Sequence, residues 1–92
     1  MDNKIKAIVR GQYQHPYMKE PRQFEETVTF TLYPPKPNEP HYGTGCYMGV
    51  ESDNGLDQLI DVRYMGSRHL KELAAVYIRD HWGDNLREYV FT

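Results

Sequence analysis

Cysteine is nearly absent from this chain: Cys46 is the only one among 92 residues. No disulfide can form within the chain, and a zinc cluster built on several cysteines is excluded. Long apolar runs are missing as well. The apolar residues around Lys4 and Lys6 form a stretch far shorter than the ~20 residues of a membrane span or the h-region of a secretory signal, so a soluble, cytoplasmic chain with no membrane partner is expected. There is no surplus of positive charge. A net charge of −2 argues against a general polyanion binder, because phosphate contacts need a net or local excess of Lys and Arg. Repeats and low-complexity tracts are lacking, and the length suits one domain spanning residues 1–92.

Motifs with a fixed chemistry are also missing. His15, His41, His69 and His81 include no pair at i and i+4 on one helix, and His69 and His81 would stand ~18 Å apart along a helix axis. No metal and no cofactor are expected. The glycines around Thr44 make no phosphate loop, since no lysine follows and no helix begins there.

What is present is an architecture. From Ser67 to Gly83 the chain reads as a helix, with Leu70, Leu73, Ala74, Tyr77, Ile78 and His81 on one face of a 3.6-residue period. Gly66 marks the turn into it, Ser67 is placed to cap its first amides, and Gly83 suits the left-handed position that ends helices. Arg79 and His81 fall in the last turn, where cations meet the negative end of the dipole. Such a helix needs an apolar sheet beneath it.

Strands supply one. Lys4 to Tyr13 alternates, with Ile5, Ala7 and Val9 on one side and Lys4, Lys6, Ile8 and Arg10 on the other, relaxed at Gly11 by a bulge or bend. Gln14 to Gln23 carries two prolines and no period and reads as a long connection. Phe24 to Tyr33 alternates again, with Phe24, Glu26, Val28, Phe30 and Leu32 on one side and Glu25, three threonines and Tyr33 on the other. Pro34, Pro35, Pro37 and Pro40 then form a stiff, extended connector. Gly43 to Ser52 and Leu56 to Met65 flank Asn54-Gly55, a strong signal for a two-residue hairpin turn. That turn sets Tyr47 opposite Val62 and Gly49 opposite Ile60 on the core side. It sets Val50 opposite Leu59, Met48 opposite Asp61 and Cys46 opposite Arg63 on the outer side. Residues 84–92 read as a final strand or as a second helical turn, with β-propensity favouring the strand.

The fold class is therefore α+β: a two-layer sandwich of four or five antiparallel strands with one C-terminal helix on one face. The second face is half apolar, and on a small domain such a face points to a partner or a second copy of the chain. The leading functional expectation is a small non-enzymatic protein-interaction domain that self-associates through this open face. Tyr33, Met48 and Leu59 are its candidate contacts, and Tyr17, His41 and Tyr42 are interface-prone residues in the connecting loops. A second reading is a nucleic-acid accessory protein, because Lys4, Lys6 and Arg10 form a basic stripe beside Tyr33. Protection of an edge strand by charge is the favoured account of the stripe, and Glu25 lies on the same side. A third reading makes Cys46 a nucleophile activated by Arg63.

Overall fold

The computed structural model describes residues 4–17, 19–33, 47–62 and 69–92. Five strands, β1 (Lys4–Tyr13), β2 (Arg22–Tyr33), β3 (Tyr47–Ser52), β4 (Asp57–Asp61) and β5 (Leu86–Phe91), form one sheet in the order β4-β3-β2-β1-β5. Every neighbouring pair is antiparallel. It follows that the two edge strands, β4 and β5, run parallel to each other. The chain passes between those edges through helix α1 (Leu70–Trp82) and one 3-10 turn (Gly83–Asn85), and α1 packs on β1, β2 and β5. The result is the expected two-layer α+β arrangement.

The alternation in β1 and β2 sorts their side chains as the sequence suggests. Ala7, Val9, Val28 and Phe30 are fully buried beneath the helix, while Lys4, Lys6, Arg10, Glu25 and Thr27 are exposed on the other side. Residues 86–91 complete the sheet as β5 beside β1, where the register shifts between Arg10 and Gly11. Gly11 is required there: a Cβ would collide with the Asn85 carbonyl oxygen and the Phe24 ring. The bulge thus lets the 3-10 turn settle on bare backbone.

Helix α1 differs from expectation at its start and in its rotation. It begins at Leu70, with His69 as N-cap and no side-chain cap bond; Gly66 and Ser67 lie outside the described residues. Its buried stripe is Leu73, Ala74, Ile78 and Trp82. Trp82 takes the inward place expected of His81, because the large indole fills the end of the core against Phe24, 6.4 Å between ring centroids. His81 is exposed and lies flat against Tyr77, 5.2 Å away. Gly83 ends the helix at φ 52, with its amide donating to the Arg79 carbonyl, as a C-terminal glycine should.

The β3–β4 hairpin corrects the two-residue turn. Met48 faces Ile60, Gly49 faces Leu59 and Val50 faces Gln58, one residue away from the expected register. The loop is three residues long. Ser52 N–H donates to the Leu56 carbonyl at 2.9 Å, Gly55 N–H donates to the Ser52 carbonyl at 3.3 Å, and Gly55 has φ 93. Ser52 Oγ accepts from the amides of Asn54 and Leu56 at 3.2 and 3.1 Å. Asp53 extends the ladder to β2, its amide donating to the Thr27 carbonyl and its carboxylate accepting from the Thr27 amide, both at 3.1 Å. These side-chain bonds favour the longer turn.

An odd loop flips one strand relative to the other. Ile60 and Val62 still point inward, as expected, but β3 turns over. Met48 and Val50 become fully buried core residues, and Gly49 and Tyr47 move to the outer face. The pairing that set Cys46 opposite Arg63 was tied to the rejected register; both residues lie outside the described ones.

Candidate functional site

The outer face of the sheet carries an ordered array of side chains. Cross-strand register places Lys6, Thr29, Glu51 and Asp57 in one row, running from β1 to β4. The next row holds Lys4, Thr31, Gly49 and Leu59, and the one beyond it Tyr33, Tyr47 and Asp61. In the other direction Ile8 lies between Thr27 and Val90, followed by Arg10 between Glu25 and Glu88. The threonines of β2 form the midline. From the Lys6 row to the Tyr33 row, basic side chains lie on the β1 flank and acidic ones on the β3–β4 flank.

Arg10 is committed within the chain. Its Nε donates to Glu25 Oε1 at 2.6 Å and its Nη1 to Glu88 Oε1 at 2.9 Å. Its hydrogen bonds to Glu88 and then to Glu25 raise its pKa above the ordinary value. A guanidinium held between two carboxylates offers little to a phosphate. In the shallow depression beside it, the Arg87 guanidinium donates to the carbonyls of Asp84 and Leu86. The basic stripe is thereby reduced to Lys4 and Lys6.

Exposed apolar surface lies at both ends of this face. Leu59 is 64% exposed, Val90 52% and Tyr33 45%. Tyr33 leans across Gly49: a Cβ there would lie 2.8 Å from the Tyr33 ring. The Tyr33 ring thus crosses the bare backbone of Gly49 on the outer face.

The remaining candidates fall elsewhere. Tyr17, 92% exposed, stands in the 14–21 connection with its ring tilted against His15, at the opposite end of the β1–β2 hairpin from Tyr33. Met48 is buried beneath the helix and is no surface contact. His41 and Tyr42 lie outside the described residues. The sequence reading missed Glu51 and Asp57 as members of the face, because the wrong register obscured the Lys6 row. Their signal was available in the phase of the charges, since Glu51, Asp57 and Asp61 cannot share a side with Val50, Ile60 and Val62 without burying carboxylates.

On the covered face, Glu26 is 7% exposed. Its Oε2 accepts from the Trp82 indole at 3.2 Å and its Oε1 from the Ser52 hydroxyl at 3.3 Å. This joins the helix end, β2 and the hairpin turn. Tyr77 donates its hydroxyl to Gln58 Oε1 at 2.7 Å, and burial, then the charge of Glu26, raise its pKa above 10.0. A groove of about 300 Å3 runs between α1 and β4 past Ile60, Val76 and Tyr77. Asp80 and His81 line it as well, and His81 Nδ1 lies 3.3 Å from the Tyr77 hydroxyl. Among the described residues no three His, Cys, Asp or Glu gather as a metal site, and no helix is long and apolar enough to cross a membrane. Comparison with protein-family models, with curated proteins and with solved structures gives no match, so function must be argued from the residues.

Proposed function

We propose that this chain is a protein-interaction domain that works through the outer face of its sheet. The observation that supports this most is the composition of that face. Exposed Leu59, Val90 and Tyr33 flank a midline of threonines, and among the described residues none of Lys4, Lys6, Glu51 and Asp57 has an ion-pair partner within 4 Å. Apolar surface with unpaired charges of both signs suits the surface of a folded protein, a second copy included. Phosphate binding is disfavoured by the engagement of Arg10 and by the acidic flank.

The test is a photo-reactive side chain at Thr29, in the centre of the face, compared with one at Arg79 on the exposed side of the helix. Protein adducts from position 29 and none from position 79 are expected. Equal or absent labelling at the two positions would refute the reading.

A further inference from the structure

We infer that the partner of this face is a second copy of the chain, packed face to face about a two-fold axis that runs along β2. This rests on the face being an interaction surface and adds its occupant and geometry. Row order sets the geometry: Lys6 on β1, Thr29 on β2, Glu51 on β3. Rotation about an axis parallel to β2 and above it exchanges the β1 and β3 columns while keeping each row in place. Lys6 of each copy then lies over Glu51 of the other, and Thr29 meets its own counterpart. A two-fold axis across the strands through this row would instead set Lys6 against Lys6, so the charges select the first arrangement.

The isolated chain gives independent reasons for such a partner. Glu51 and Asp57 are directly opposite each other on neighbouring strands, a like-charge pair that destabilises a sheet. Lys4 and Lys6 stand on the same side of β1 with no ion pair within 4 Å among the described residues. The proposed packing brings each uncompensated cluster to the other and relieves both. Facing sheets stand ~10 Å apart, a gap that Lys and Glu side chains reaching from opposite sides can span. Under this axis β2 stacks on its counterpart and β1 residues 4–7 stack on β3 of the other copy, while β4 and β5 occupy different rows.

The decisive experiment uses two full-length variants, Lys6→Glu and Glu51→Lys, separately and mixed, by sedimentation equilibrium, with circular dichroism confirming that each is folded. Each variant alone should self-associate about tenfold or more weakly than the wild type, because both symmetric contacts become repulsive. The equimolar mixture should form a heterodimer within about threefold of the wild-type affinity, since its two contacts are again opposite in sign. A charge effect within one chain gives no such rescue. A wild-type dimer indifferent to both substitutions, or a mixture no tighter than its components, would overturn the arrangement and leave the face reading to the Thr29 labelling. A wild type that is monomeric throughout would overturn the second-copy proposal, whereas labelling at Thr29 by another protein would still uphold the face.

Discussion

Glu25 and Glu26 are neighbours in sequence and belong to opposite surfaces of one sheet. Glu26 points under the helix, where its oxygens accept from the Trp82 indole and the Ser52 hydroxyl. Glu25 points outward and pairs with Arg10 at 2.6 Å. The difference extends across both faces. The covered one is organised by exclusion of water, with Phe30, Met48, Leu73 and Ile78 fully buried and its one buried carboxylate hydrogen-bonded. The open one is organised by charge, with an internally neutralised end around Arg10 and an uncompensated end around Lys6, Glu51 and Asp57. Stability resides mainly on the first face. Recognition is assigned to the second.

Substitutions should separate the two. Phe30→Ala removes the largest fully buried side chain of β2 and should cost about 3–5 kcal/mol in urea unfolding. Trp82→Phe keeps most of the ring volume but leaves Glu26 without one donor, and should cost about 1–3 kcal/mol by the same measurement. Thr29→Arg, on the open face, should change stability by no more than about 0.5 kcal/mol yet abolish self-association. If Thr29→Arg unfolded the chain as Phe30→Ala does, the division between the faces would be lost.

The neutralised end invites the reverse test. Glu25→Gln combined with Glu88→Gln frees the Arg10 guanidinium, and retention on heparin should rise relative to the wild type. No rise would mean that those carboxylates do not mask the arginine.

Smallest in effect is the pH dependence of Tyr77. Its pKa is raised on folding, above 10.0, so it favours the fold below that pH. As pH climbs past about 10 the unfolded chain loses this proton first, and stability falls until the folded phenol ionises too. Tyr77→Phe should lessen that fall in a series of urea midpoints from about pH 9 to pH 11. An unchanged slope would show that the hydroxyl senses no such environment.

Much of the covered face was legible beforehand. Ala7 and Val9 against Lys6 and Arg10, and Val28 and Phe30 against Glu25 and Thr27, follow a period of two that has one physical solution. The Gly83 helix stop was equally readable, since glycine takes a positive φ without help from tertiary contacts. What escaped was set by contacts distant in sequence. The hairpin loop is fixed by Ser52 Oγ and by Asp53 bonding back to Thr27, and its one-residue difference sent Met48 from the expected surface into the core. The clamp on Arg10 needed Glu88, 78 positions away, and only the β1–β5 pairing brings that residue alongside. The helix rotation turned on the fit of Trp82 against Phe24, which periodicity does not encode.

The most direct test of the account is sedimentation velocity of the wild type and of Thr29→Arg over a wide concentration range. A wild type that becomes dimeric as concentration rises, beside a folded Thr29→Arg that stays monomeric, is the result the account predicts. Identical sedimentation of the two folded proteins at every concentration would contradict it.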